Sequence, residues 1–298
     1  MKGERKMFTG SLVAIVTPFK DDRFDRKAYA GLIEFHAKNG TNGIVPCGTT
    51  GESATLTPEE HKEVIEFTID KVSGRMPVVA GTGSNSTKEA IHLTKHAEKS
   101  GADAALLIAP YYNRPTQDGL YAHFKAIADE VSIPLILYNI PSRTGVNMEP
   151  STIARLAEHK NIVGIKEASG SLGQMQDVIA LCPDDFILLS GDDGLLLPVL
   201  SIGGKGVISV VANIVPAMVT ELINTYEKGD MKRALKLNYG LLSLTKSMFL
   251  ETNPVPVKTA LSMMGMMKNE IRLPLAPMRK ENIAKLAASL RQAKLIKK

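Results

Sequence analysis

The chain has no tryptophan, only two cysteines and no apolar run long enough to cross a membrane, and each shortage removes a class of protein. Cys47 and Cys182 lie far apart and form neither a CxxC pair nor a disulfide framework, so a reducing, cytoplasmic setting is expected. A spanning helix needs about eighteen or more consecutive apolar residues. The opening MKGERKMFTG is basic but is not followed by the apolar stretch of a secretory signal. Without tryptophan to stack bases, a nucleic-acid partner would have to be held by a basic patch, and none is visible. The formal charge of +5 is concentrated at the ends, with about +6 in residues 279–298 and about +2 in Lys2, Arg5 and Lys6 against Glu4, leaving the body near −3. The histidines (His36, His61, His92, His96, His123, His159) all fall in segments that read as helices and make no HExxH or His/Cys cluster. Neither a catalytic metal nor another cofactor is expected.

What is present is alternation. Short, β-branched apolar runs recur at 12–19, 43–48, 77–83, 104–112, 134–141, 162–169, 186–193 and 206–213, with helix-period segments between them. Thr57-Pro-Glu-Glu60 reads as a capping box, followed by His61, Val64, Ile65, Thr68, Ile69 and Val72 along one face. A second box, Ser86 to Glu89, opens another helix that closes near Gly101. Because the strand runs are continuously apolar, the sheet should be covered on both faces, the habit of parallel sheets. Eight such units predict an α/β fold, a (β/α)8 TIM barrel over residues 1–228. From Gly229 to Lys298 only helical patterns remain, including the methionine-rich SMMGMMKNE read as core filler, and they predict a C-terminal helical appendage.

In such barrels the working groups sit at the carboxyl ends of strands. The second run ends in Cys47-Gly-Thr-Thr-Gly-Glu52, the fourth in Tyr111-Tyr112-Asn113-Arg114 and the fifth in Tyr138 with Pro141-Ser-Arg-Thr-Gly145 after it; the sixth ends in Lys166-Glu167 and the seventh in Ser190-Gly-Asp-Asp193. Lys166 has two readings: a lysine that snorkels its ammonium to water, or a buried amine. An unpaired buried ammonium is costly, and the neutral amine is the nucleophile that forms a Schiff base with a ketone. Lys258, in Asn253-Pro-Val-Pro-Val-Lys258, competes for that role, but its prolines place it on a helix start outside the barrel. Tyr138 is either a strand-end aromatic or a phenol that passes protons through hydroxyls such as Thr49 and Tyr112. The GTTGE loop is either a turn or a cradle of N–H groups and hydroxyls for a small carboxylate. Arg143 is either a solvated surface residue or a bidentate carboxylate clamp. Phosphate chemistry finds no support, since Gly203-Gly204-Lys205 precedes a strand and Asp192 and Asp193 would repel phosphate.

FTGSLVAIVTPF, GTTGES, YYNRP, LYNIPSRTG, GIKEAS, LLSGDD and GGKGVISVVAN occur in an order that resembles the dihydrodipicolinate synthase family, from about Met7 to the C-terminus. Residues 1–6 lie outside the resemblance and read as an extension or alternative start. GTTGE and the strand-borne lysine belong to the wider pyruvate-dependent class I aldolases, which include N-acetylneuraminate lyase and the keto-deoxy-sugar-acid aldolases. YYNRP and PSRTG are more specific. The resemblance implies a lyase that joins pyruvate to L-aspartate 4-semialdehyde in lysine/diaminopimelate biosynthesis; the alternative is one of those sister aldolases using the same lysine. It further implies that Lys166 carries the imine, that Tyr138, Thr49 and Tyr112 relay protons, and that Tyr112 reaches in from a neighbouring subunit of a homotetramer, a dimer of dimers. Thr50 would bind the pyruvate carboxylate, Ile208 would line that site, and Arg143 would hold the semialdehyde carboxylate.

The family's feedback site for lysine is partly matched by Ala54, His61, Asn85, Glu89 and Tyr111, whereas Pro58 stands where sensitive members carry a side chain that contacts the inhibitor. Weak or absent inhibition by lysine is therefore expected. Loss of turnover at micromolar lysine in a titration would contradict this.

Overall fold

The computed structural model describes residues 8–297, so residues 1–6, read above as an extension, and Lys298 of the basic tail lie outside the described residues. Eight parallel strands make one sheet: β1 Gly10–Ala14, β2 Gly43–Val45, β3 Val79–Gly81, β4 Ala104–Ile108, β5 Leu135–Asn139, β6 Ile162–Glu167, β7 Ile187–Ser190 and β8 Gly206–Ser209. Their order in the sheet is β2-β1-β8-β7-β6-β5-β4-β3. The free edges of β2 and β3 meet at a parallel bridge, Ile44 with Val78, where Ile44 N–H donates to the Pro77 carbonyl at 2.9 Å and Gly81 N–H to the Pro46 carbonyl at 2.9 Å. These bonds close the TIM barrel.

Helices α1 Arg26–Lys38, α2 Pro58–Val72, α3 Thr87–Ser100 and α4 Gln117–Asp129 follow the first four strands. The second half adds α5 Pro141–Thr144, α6 Pro150–Ala157, α7 Leu172–Leu181, α8 Leu196–Ser201 and α9 Pro216–Glu227. The alternation then stops, and α10 Met231–Ser247, α11 Val255–Met263 and α12 Lys280–Gln292 complete the chain as the C-terminal helical appendage. Leu12, Val45, Val79, Leu106, Ile136, Leu189 and Ile208 fill the barrel interior, while larger apolar clusters lie between strands and helices. Both faces of the sheet are thus covered, as continuous apolar strands require. Met263, Met264 and Met266 pack against the outer cluster, of which Met267 is a buried member.

Local signals held to different degrees. The box at Thr57 is complete, with the Thr57 hydroxyl accepting from Glu60 N–H and the Glu60 carboxylate accepting from Thr57 N–H. At α3 only half forms: Ser86 accepts from Glu89 N–H, but the Glu89 carboxylate turns to the Ser84 hydroxyl instead. His159 falls just past the end of α6, not inside it. The apolar runs outlast the strands because the chain stays buried as it enters the loops; Ile15 and Val16 continue below β1, and Val16 N–H is met by Asn213 Oδ1 at 3.2 Å. A two-stranded ribbon, Phe19–Lys20 with Arg23–Phe24, turns at Asp21 and Asp22, both with left-handed backbone (φ 55° and 59°), and the sequence reading did not anticipate it.

Three histidines are buried inside this frame. Burial pushes His36 down to about 3, and His61 and His123 to about 4. Each keeps one ring nitrogen without a partner among the described residues: Nε2 of His36, Nδ1 of His61 and Nε2 of His123. The folded values lie below the ordinary value near 6.5, so between that value and about 4 the unfolded chain binds protons that the folded chain refuses. Their contribution to stability is complete above about pH 6.5 and is lost as the pH falls toward about 4. At about 1.4 kcal/mol per pH unit, the loss is on the order of 3 kcal/mol per histidine. Thermal melts from pH 7 to pH 4 should show a falling midpoint, with a smaller fall in a His123→Gln variant; an unchanged slope in that variant would contradict the assignment.

Candidate active site

The register between β5 and β6 slips once. Leu135 pairs with Ile162 but Ile136 pairs with Gly164, so Val163 is skipped. Since side chains alternate along a strand, a slip of one residue reverses the faces of all that follow. Ile165 consequently packs outward with Leu137, while Lys166 turns inward beside Tyr138, its partner in the ladder. Gly164 suits this place because a Cβ would stand 2.5 Å from the Ile187 carbonyl oxygen.

Lys166 is 6% exposed and its Nζ lies 4.1 Å from the centre of the Tyr138 ring. Among the described residues it has no ion pair and no hydrogen-bond acceptor. Room for its side chain comes from Gly191 in the loop after β7: a Cβ there would lie 2.6 Å from Ala168 Cβ and 3.1 Å from Lys166 Cε. On the other face of the same strand ends, the buried Glu167 carboxylate accepts from Asn139 Nδ2 at 3.0 Å, from Ser169 N–H at 2.6 Å and from Gln174 Nε2 at 3.3 Å. This polar knot ties β5, β6 and α7 directly behind Tyr138 and Lys166.

The other expected residues gather less completely. Ile208 is buried in the barrel interior with Tyr138. Thr50 is buried, and its hydroxyl accepts from Asn253 Nδ2 at 3.0 Å, which leaves its own proton to be donated. Arg143, on α5, donates from Nη2 to the Asn253 carbonyl at 3.1 Å. Thr49, Arg143 and Asn253 line a cavity of about 500 Å³; Lys166 and Tyr138 are not part of its lining. Tyr112 stands apart from them: it is 89% exposed, has a left-handed backbone (φ 72°) and lies outside that lining. Among the described residues no hydrogen bond joins the hydroxyls of Tyr138, Thr49 and Tyr112, so the expected relay is not assembled within one chain.

The same cavity collects Ala54, His61, Glu89 and Tyr111, together with Pro58. Asn85 stands at its edge, donating from Nδ2 to the Tyr111 carbonyl at 3.2 Å. Asp193, expected only to repel phosphate, is buried and accepts from the N–H groups of Val210 and Val211 at 2.9 Å each, pinning the end of β8; burial raises its carboxyl above the usual range. Sequence reasoning missed Asn253, which joins Thr50 and Arg143, and the partner of Lys258: on α11 as expected, its side chain is fully buried against the loop after β2. The sole signal is the Asn253-Pro-Val-Pro-Val-Lys258 segment, whose prolines place it off the barrel. Among the described residues no group of three or more His, Cys, Asp or Glu is arranged to hold a metal ion, and no helix is long and apolar enough to cross a membrane.

Residues 7–293 match the model of the dihydrodipicolinate synthetase family. A 4-hydroxy-tetrahydrodipicolinate synthase of Thermodesulfovibrio yellowstonii is 62% identical over 98% of this chain and 100% of its own. Among solved structures, dihydrodipicolinate synthase from Aquifex aeolicus is 51% identical with a TM-score of 0.96, covering 97% of this chain and 99% of that one. The chloride-inhibited dihydrodipicolinate synthase from Acinetobacter baumannii, complexed with pyruvate, is 47% identical with a TM-score of 0.95, covering 97% and 100%.

Proposed function

The chain belongs to the dihydrodipicolinate synthetase family, and from that premise we propose that it acts as a 4-hydroxy-tetrahydrodipicolinate synthase, a Schiff-base-forming lyase that condenses pyruvate with L-aspartate 4-semialdehyde. The observation that carries this reading is Lys166: a buried amine at the carboxyl end of a barrel strand, beside a tyrosine and with no carboxylate to pair with among the described residues. The names of the relatives favour it over a sugar-acid aldolase.

In the first step the amine of Lys166 attacks the ketone carbon of pyruvate; a C–N bond forms, water leaves and an imine remains. Loss of a methyl proton gives an enamine, whose carbon attacks the aldehyde and forms the C–C bond. The amino group of the second substrate then attacks the imine carbon, closing the ring and releasing the lysine. Each step moves a proton, and Tyr138 is the hydroxyl we assign to that work, with Thr49 and Tyr112 as its route to water. Thr50, its oxygen already occupied by Asn253, donates its proton to the pyruvate carboxylate. Ile208 packs against pyruvate, and Arg143 holds the carboxylate of the semialdehyde.

We extend the reading to a homotetramer, a dimer of dimers. A tyrosine that is 89% exposed at the mouth of the barrel suits a partner's site better than its own. A second apolar surface, on α10, exposes Met231, Leu235, Tyr239 and Leu242 at helical spacing.

Incubation with pyruvate followed by borohydride and peptide mass mapping should place a reduced adduct on Lys166; an adduct elsewhere, or none, removes the mechanism. Tyr138→Phe, which keeps the ring, should lower kcat by about 10²-fold or more without lowering the melting temperature. Equal turnover would take Tyr138 out of the relay. Native mass spectrometry should give four chains, and a single-chain mass would exclude the assembly.

A further inference from the structure

Lys258 and Glu52 form an ion pair in which both side chains are fully buried. The Lys258 ammonium lies 4.2 Å from the centre of the Phe19 ring, and the second Glu52 oxygen accepts from Arg272 N–H at 3.3 Å. Arg272 in turn forks onto both oxygens of Glu60 at 2.7 Å and donates to the Thr55 carbonyl at 3.0 Å. These bonds run from the C-terminal segment to the loop that follows β2, at Glu52 and Thr55, and to the first turn of α2, at Glu60. Burial pushes Lys258 down, and the adjacent Glu52 carboxylate opposes that push.

A buried ion pair is a poor way to gain stability, because desolvation offsets most of the attraction and apolar side chains of similar size serve as well. What it supplies is a defined position for two groups. Glu52 ends the loop carrying Thr49 and Thr50, and its backbone is left-handed (φ 54°), a conformation a side chain-bearing residue holds when its surroundings fix it. Just before α11, Asn253 reaches Thr50 and Arg143 from the same segment. The loop is therefore gripped at two points, by Asn253 just before α11 and by Lys258 on it.

We propose that Lys258 and Glu52 are positioning residues: their ion pair locks the loop so that Thr49 and Thr50 present their hydroxyls to the pyruvate site. This deepens the preceding reading and rests on it.

The full-length chain tests the proposal as Lys258→Met and as the neutral pair Glu52→Gln with Lys258→Met, measured by thermal melts, KM for each substrate, kcat and borohydride trapping. Lys258→Met should lower the melting temperature and raise KM for pyruvate by about tenfold or more. The neutral pair should regain the melting temperature, keep the raised KM for pyruvate, and still give a Lys166 adduct at saturating pyruvate. A folded neutral pair with wild-type KM would overturn the proposal while leaving the catalytic reading intact. Failure of both variants to fold would make the pair a folding element and also overturn it. A wild-type chain that forms no adduct would sink the catalytic reading, and this proposal with it.

Discussion

In β6, the partner of Ile136 is Gly164 and not Val163, and the chemistry proposed for this barrel depends on that one skipped residue. Without the slip, strict alternation would send Ile165 into the barrel and Lys166 out toward the helices. With it, the lysine lies against Tyr138 with no carboxylate paired to it among the described residues, and Glu167 faces the other way into a set of donors that satisfies its charge. The slip thus sends the lysine, and not the glutamate next to it in sequence, into the barrel.

A second constraint acts from outside the barrel. Two buried lysines, Lys166 and Lys258, are treated in opposite ways: one lacks a partner among the described residues and the other is paired with Glu52 over the Phe19 ring. The paired lysine belongs to the helical appendage, and with Asn253 it attaches that appendage to the loop after β2 and to Arg143. The appendage therefore contributes to the wall of the site as well as to the packing of the barrel.

The barrel was legible because each unit repeats the same physical pattern of a continuous apolar strand, a polar turn and an amphipathic helix. The complete capping box at Thr57 was readable for the same reason, since its partners lie within four residues of each other. The half-formed box at Ser86 shows the limit: Glu89 had a competing hydroxyl at Ser84, and residue spacing alone does not choose between them. Lys258 shows it more sharply, because proline spacing located its helix correctly while nothing local revealed that Glu52, 206 residues away, would bury its charge.

By itself, the sequence determined the strand count, the parallel sense of the sheet, the ends of the strands where reactive groups collect, and the residue types available there. These follow from periodicity and from the chemistry of single side chains, both of which are local. Only the tertiary structure decided which way Lys166 points, that Gly191 leaves it room, that Asn253 spans Thr50 and Arg143, and that Tyr112 is left exposed. Those outcomes depend on register between strands and on contacts across more than a hundred residues, and such contacts are set by the packing of the whole chain.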